Sequence, residues 1–267
     1  MKKIGLIAGS GELPIEFIRS AKKQNYRVVA FALEGIALSK IEKEADKTYW
    51  LSLGQYKKFA FLLLKERLRQ ITLLGKVDKN LLYQKNKKQD RTYTSVIAKM
   101  KDKKDYSILN EVTKHLKRVG VSVIDPTPYL SHLLPEKGIL SRVFPDERLR
   151  EDIKFGYETA KKVAAMDIGQ TIIVKDRNVV SVEAMEGTDA AIIRAAGAAG
   201  AGCVMVKVSR PNQDMRWDIP TIGPDTMKKL SENKFSALAL ESGKTFLVGK
   251  EELLRAADTS EIVVQII

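Results

Sequence analysis

A doubly wound α/β fold followed by a second, mixed α/β domain is what this 267-residue sequence predicts. Three observations predict it. The first 34 residues read as apolar strand, Gly-Ser-Gly turn, helix and apolar strand. Strand and helix patterns then keep alternating as far as Ile124, which argues for a parallel sheet. Beyond a stretch punctuated by Pro135, Gly138 and Pro145, helices are interleaved with hairpin-like strand pairs, which a continuation of the first sheet would not contain. The expected layout is a Rossmann-like N-terminal domain over 1–134, a linker over 135–146 and a separate α/β domain, taken as the catalytic one, over 147–267.

In the first domain, Lys3–Ala8 is an apolar strand and Gly9-Ser10-Gly11 a tight turn. Pro14 falls near the first helical position, where its missing N–H costs nothing. Leu13, Phe17 and Ala21 share one helical face. Tyr26–Leu33 is apolar throughout, as in a strand buried on both sides. Thr48–Leu53 reads as a strand, Gln55–Leu68 as a helix, and Gln70–Leu74 as a strand ending at Gly75-Lys76. Lys79–Lys104 is basic and reads as helical. Tyr106–Val119, with apolar residues at 108, 109, 112 and 116, is an amphipathic helix. Val121–Ile124 is a strand stopped by Asp125-Pro126.

In the second domain, Glu147–Ala165 is a helix. Gln170–Lys175 and Val179–Glu183 are strands joined by the turn Asp176-Arg177-Asn178. An Ala-rich helix (Ala190–Gly197), a strand (Cys203–Val208) and a helix (Thr226–Asn233) follow. Ala237–Leu240 and Thr245–Val248 are strands around Ser242-Gly243-Lys244. Glu251–Asp258 is a last helix and Glu261–Ile266 a last strand.

Composition narrows the function. Hydrophobic content of 44% and charged content of 30% fit a globular protein. A single cysteine, Cys203 in an apolar run, excludes a disulfide framework and a Cys-based zinc site. The N-terminal MKKIGLIAGSGELP is broken by Gly5, Gly9 and Gly11, with acidic Glu12 after the last of them, so it reads as a strand and not a signal peptide. A cytoplasmic protein is expected. The net charge of +13 is local, because 57–118 holds 18 Lys/Arg against 6 Asp/Glu. That patch could meet nucleic acid, an anionic membrane surface or solvent.

The chemistry concentrates between Glu183 and Asp225. Glu183, Glu186, Asp189, Asp214, Asp218 and Asp225 lie on turns there, with Lys207, Arg210 and Arg216 interleaved. Such a set suits a hard metal ion and a phosphate. Asp189 and Asp225 each stand where a helix cap would stand as readily as a ligand. Asn212, Gln213 and Asp214 offer oxygen ligands, and Arg210 and Arg216 offer phosphate partners. The Gly9-Ser10-Gly11 loop resembles a dinucleotide fingerprint that lacks its third glycine, with Glu34 near the position of a ribose-binding acid. A tight turn with no ligand fits it equally. His115 and His132 do not cluster with the carboxylates, so neither zinc chemistry nor a hydrolase triad is expected. Carboxylate-bound Mg²⁺ or Mn²⁺ acting on a phosphate ester or anhydride remains.

Four segments carry a family resemblance: IGLIAGSGELP, GKVDK, DIGQTIIVKDRNVVSVEAMEGTDAAIIRAAG and VMVKVSRPNQDMRWDIPTIGPDT. Together they resemble the LpxI family, UDP-2,3-diacylglucosamine diphosphatases of lipid A biosynthesis. Ser209-Arg210 stands where that family is expected to have Ala-Lys, and Trp217 where Phe is commoner; both keep the chemical type. The resemblance implies a two-domain enzyme that needs Mg²⁺ or Mn²⁺. It implies water attack at the α-phosphorus of UDP-2,3-diacylglucosamine, giving UMP and 2,3-diacylglucosamine 1-phosphate (lipid X). Within that reading Asp214 is the first candidate for metal ligand or general base. Glu183, Glu186, Asp189 and Asp225 follow as ligands or their supports. Lys207, Arg210 and Arg216 would stabilise charge on the leaving oxygens. Thr188, Asn212 and Gln213 are expected to bind substrate, and Gly9, Ser10 and Gly11 to bind the uridine diphosphate part or close the site. The basic patch would hold the enzyme at an anionic inner-membrane surface, and a homodimer is compatible with the sequence.

Two other classes are open to the sequence. A nucleic-acid-binding protein could use the 57–118 patch, but no stacking platform or recognition motif accompanies it. A nicotinamide-dependent oxidoreductase could use the Gly-Ser-Gly loop. The missing third glycine and the carboxylate-rich second domain argue against that.

Overall fold

In the computed structural model the described residues are 2–77, 90, 91, 93, 105–217 and 219–267, with side chains from 109 onward in the helix that starts at 105. Most of the expected basic helix Lys79–Lys104 lies outside them, as do Asp78 and Lys79 of GKVDK, and Asp218. The chain divides into two compact units, Met1–Ser131 with Met215–Asp218 and His132–Asp214 with Ile219–Ile267.

The first unit is built on a five-stranded sheet. Its elements are β1 (Lys2–Ala8), α1 (Leu13–Lys23), β2 (Tyr26–Leu33), α2 (Ile41–Glu44), β3 (Lys47–Leu51), α3 (Tyr56–Lys65), β4 (Gln70–Leu74), α4 (Asp105–Arg118) and β5 (Ser122–Val123). The strands pair in the order β3-β2-β1-β4-β5, all parallel. The last six residues of β2 are buried, which is why that strand reads as an unbroken apolar run. Leu13, Phe17 and Ala21 form the buried stripe of α1, and Pro14 sits in its first turn. One core cluster joins Val29, Phe31, Leu62, Leu63, Ile71 and Leu116 with Trp217. Trp217 is only 4% exposed. That burial is why 215–217 belong with the first unit, whereas the sequence places them in the second domain.

An ion-pair network ties strand starts to the end of α3. Glu66 accepts from Lys47 Nζ at 2.6 Å, Tyr49 Oη at 2.5 Å and Lys3 Nζ at 3.4 Å. The Lys47 and Tyr49 hydrogen bonds outweigh burial and hold the Glu66 carboxyl down at about 2. A carboxyl depressed in the folded state stabilises the fold above its ordinary value near 4.5, and the contribution fades as pH falls through about 2. The lysine side chains are 41% and 35% exposed, so solvent screens part of the gain. Glu66→Gln is therefore expected to cost about 1–3 kcal/mol at neutral pH. Urea midpoints of parent and variant should converge as pH falls from about 4.5 to about 2. A gap of constant size over that range would count against this assignment.

The second unit holds β6 (Gly138–Ile139), α5 (Glu147–Ala165), β7 (Thr171–Lys175), β8 (Asn178–Val182), α6 (Thr188–Ala199), β9 (Val204–Lys207), β10 (Thr221–Ile222), α7 (Pro224–Glu232), β11 (Ala237–Leu240), β12 (Phe246–Leu247), α8 (Lys250–Thr259) and β13 (Val263–Ile266). Six of these strands form a mixed sheet in the order β6-β13-β11-β9-β7-β8. β9, β11 and β13 run parallel, while β7 runs antiparallel to both β8 and β9. Period-two alternation splits the core in two. Ile173, Met205, Leu238 and Leu240 pack on the side of α6, α7 and α8. Ile172, Val174, Val204, Val206 and Ala239 pack against Ile153, Ala160 and Ala164 of α5. Asp146 caps α5, accepting from Leu149 N at 2.7 Å. Buried Asp152 accepts from the N–H groups of Asp176 and Arg177, whose positive φ values shape the hairpin turn.

Two expectations are corrected here. The segment read as a linker contains β6, which pairs antiparallel with β13, and Ser141 Oγ accepts from Val264 N at 2.9 Å. A two-residue edge strand between Gly and Pro leaves no periodic trace. Thr245–Val248 does not pair with Ala237–Leu240 across the Ser242-Gly243-Lys244 turn. Its core, β12, pairs in parallel with β10 in a separate two-stranded sheet.

Candidate active site

One edge of the six-stranded sheet gathers the polar groups of the second unit. β8, β9 and β11 end there and β7 begins there, with Thr171 in register with Lys207 and Lys207 with Leu240. Lys207 closes an otherwise apolar strand and is 7% exposed. Its Nζ donates to Thr171 Oγ1 at 2.9 Å, Thr188 Oγ1 at 3.1 Å and Glu183 Oε2 at 3.4 Å. Thr188, at the start of α6, donates to Glu183 Oε1 at 2.6 Å. All three ammonium protons are thus engaged, and the Glu183 contact is the longest. Burial acts to raise the Glu183 carboxyl, but the Lys207 charge and hydrogen bonds from Thr171, Thr188 and Lys207 overcome it and hold Glu183 ionised below its ordinary value. The backbone supports this placement. Glu183 N donates to Thr171 O at 2.9 Å. A Cβ on Gly169 would stand 1.8 Å from the Glu183 carbonyl oxygen, so only glycine lets the two segments meet so closely.

The neighbouring carboxylates turn elsewhere. Glu186 pairs with Arg194 Nη1 at 2.6 Å, and the same guanidinium donates to Ser181 Oγ and Val182 O. Backbone N–H groups and Arg194 hold Glu186 below its ordinary value. Asp189, in the first turn of α6, pairs with Lys229 of α7 at 3.0 Å. Asp225 is exposed in the first turn of α7. Four of the five expected metal ligands therefore diverge, three of them onto cations. Among the described residues no group of three or more His, Cys, Asp or Glu could hold a metal ion. The described carboxylates do not form a ready-made cage for Mg²⁺ or Mn²⁺.

A second cluster, around buried Ser209, fixes the chain leaving β9. Ser209 is 1% exposed; its N and Oγ both donate to Glu241 Oε2, at 2.7 and 2.9 Å. Lys161 Nζ of α5 donates to Glu241 Oε1 at 2.7 Å and to Ser209 O at 3.1 Å. Arg210 Nε then donates to Asp167 at 2.8 Å. Gln170, with its amide turned to donate to Val208 O, accepts from Arg210 Nη1 at 3.2 Å. Asn212 is exposed, and Gln213 and Asp214 are half-buried. Arg216 lies in the first unit, its guanidinium 4.3 Å over the Trp217 ring.

Gly9, Ser10 and Gly11 also belong to the first unit. Gly9 N donates to Leu74 O and Ser10 N to Lys76 O, so these donors are already engaged. A Cβ on Gly9 would come within 2.7 Å of Lys76 O, and one on Gly75 within 2.7 Å of Gly9 C. Close approach of two strand-end loops accounts for both glycines. Glu34 accepts from Ser52 Oγ, and Glu12 pairs with Lys40.

Family models describe nearly the whole chain. The LpxI N-terminal domain matches residues 3–133 and the LpxI C-terminal domain residues 136–265. The chain belongs to the LpxI family. It is 26% identical to the UDP-2,3-diacylglucosamine pyrophosphatase LpxI of Caulobacter vibrioides, over 97% of this chain and 95% of that protein. Among solved structures it resembles the biotin carboxylase subunit of pyruvate carboxylase (15% identity, TM-score 0.28, 75% of this chain and 43% of that one). It also resembles an ADP-bound biotin carboxylase domain of a thermophilic 2-oxoglutarate carboxylase (18% identity, TM-score 0.25, 65% and 35%). The chain spans less than half of either structure, and likeness at this level carries no argument about function.

In this LpxI chain the sequence motif contains Glu183, Thr188 and Lys207, and the fold brings those three together. Lys161 and Glu241 lie outside the quoted segments, and Thr171 and Ser209, inside them, carry no role in the sequence reading. The available signal was polar residues at the ends of apolar strands, which strand register then gathers on one edge.

Proposed function

We propose that this chain hydrolyses UDP-2,3-diacylglucosamine in lipid A biosynthesis. Water attacks the α-phosphorus, the bond from that phosphorus to the bridging oxygen breaks, and the bridging oxygen leaves with the sugar phosphate. The products are UMP and 2,3-diacylglucosamine 1-phosphate. The observation that carries the reading is the family match along both halves of the chain, joined to a relative named for this activity. The parallel order β3-β2-β1-β4-β5 supports a Rossmann-like reading of the first unit. No helix among the described residues is long and apolar enough to cross a membrane, which is compatible with a cytoplasmic enzyme peripheral on the inner membrane.

In this reading the Lys207–Glu183–Thr188 cluster supplies a fixed field at the strand ends, where α/β proteins place ligands. Lys207 orients Glu183 and Thr188. It can reach a phosphate oxygen by exchanging its 3.4 Å contact with Glu183. Asp214, on the loop leaving β9, takes the proton of the attacking water or contributes a metal ligand. Arg210 bears on phosphate charge, and Asn212 and Gln213 on substrate binding. Mg²⁺ is commonly held by one or two carboxylates together with substrate phosphates. Mg²⁺ or Mn²⁺ enters the proposal in that form, as an ion arriving with the diphosphate, and no step is assigned to it.

The test is release of UMP from the purified protein with Mg²⁺, with EDTA, and in an Asp214→Ala variant. Metal-dependent release that drops at least about 10²-fold in the variant is the expected result. Folded parent protein that releases no UMP with metal present would overturn the assignment.

A further inference from the structure

We propose that the outer face of α3 is a docking surface for an anionic lipid bilayer. It deepens the reading above by naming where an enzyme with a lipid substrate would meet the membrane. Leu62 and Leu63 of α3 are buried in the core of the first unit, so the opposite side of the helix faces outward. That side presents Lys57, Lys58, Phe61, Leu64 and Lys65, all exposed and at the spacing of one helical face. Phe61 is 63% and Leu64 61% exposed, unusual for large apolar side chains on a short helix whose other face is fully packed. None of the three lysines pairs with a carboxylate among the described residues. Arg67 and Arg69, also exposed, follow the helix.

An apolar pair flanked by unpaired cations is what an interfacial helix needs. The apolar side chains enter the acyl boundary while the lysines stay at the headgroups, their stems spanning the difference. Charge complementarity selects an anionic surface, and the excess of 12 positive charges over 57–118 acts in the same direction (18 Lys/Arg less 6 Asp/Glu). A nucleic acid would take the lysines but leave Phe61 and Leu64 against a phosphate backbone. A second copy meeting this face with its own would set like charges against each other.

The experiment is co-sedimentation of the full chain with phosphatidylglycerol-containing vesicles and with pure phosphatidylcholine vesicles. The parent is expected to bind only the anionic vesicles, and to be released when salt rises from about 0.1 M to about 1 M. Phe61→Glu/Leu64→Glu and Lys57→Gln/Lys58→Gln/Lys65→Gln should each lower binding by roughly tenfold or more. Both variants should release UMP from substrate in detergent micelles at the parental rate, which shows that the fold and site are intact. Parent protein that ignores anionic vesicles, or variants that bind them as the parent does, overturn the proposal. So does an effect of the variants on duplex DNA binding or on oligomeric mass with vesicle binding unchanged. Failure to hydrolyse substrate in micelles would strike the proposed activity instead and leave the vesicle result standing.

Discussion

Lys207→Met is expected to lower turnover by at least about 10²-fold and to destabilise the second unit by about 3–5 kcal/mol at neutral pH. Both effects have one cause. Lys207 and Glu183 are buried together, with side chains only 8% and 15% exposed. Removing the ammonium leaves an ionised carboxylate without its principal compensating charge. Burial, opposed then only by the Thr171 and Thr188 hydrogen bonds, would raise its carboxyl relative to the parent. In the parent, a depressed Glu183 adds stability above the unfolded value that is lost as pH falls through the folded one. In the variant that contribution is diminished. Its folded state holds the proton more tightly than the parent's, so the deficit is largest at neutral pH and shrinks on acidification. A pH series of urea melts reads this directly. The double variant Lys207→Met/Glu183→Gln separates structure from activity, because it removes both charges. Most of the stability should return, since paired removal avoids the stranded charge. UMP release should not. A double variant as unstable as Lys207→Met alone, or single-variant turnover near the parent's, would show that this cluster is not what organises the site.

The same cluster shows how far the sequence can be read. Tyr26–Leu33 and Glu147–Ala165 are found with the boundaries the sequence predicts. The first is a strand buried over most of its length, and the second is opened by an Asp cap; both causes are local. β10 and β12 are two residues each and carry no periodicity, so only their pairing with each other defines them. The Glu183–Thr188 turn and Lys207 are legible as polar punctuation in apolar surroundings. Their meeting depends on the register of β7 against both β8 and β9, which no spacing encodes. Glu186 and Asp189 look like metal ligands in sequence because their cations are remote: Arg194 lies two turns along α6, and Lys229 on another helix. Gly9 fits a phosphate loop and a plain tight turn equally in sequence, because a glycine needed for backbone close approach has the same sequence signature as one needed for a ligand.

Trp217→Ala is expected to cost the first unit about 3–5 kcal/mol, the range for truncating a buried aromatic. The ring belongs to the buried core cluster of the first unit, and the Arg216 guanidinium covers it at 4.3 Å. Removing it opens a void in that core that relaxation only partly closes. The loss falls on the first unit, to which 215–217 belong, and is read as stability. Trp217→Phe keeps an aromatic filler and should hold most of the stability. The protein has two tryptophans, Trp50 and Trp217, both in the first unit, so Trp50 fluorescence remains a reporter of that unit in the variant. A Trp50-monitored urea midpoint well below that of the parent is the expected result. A midpoint at the parental value would mean that the ring is dispensable to the core, because a buried aromatic that fills its site cannot be truncated without cost.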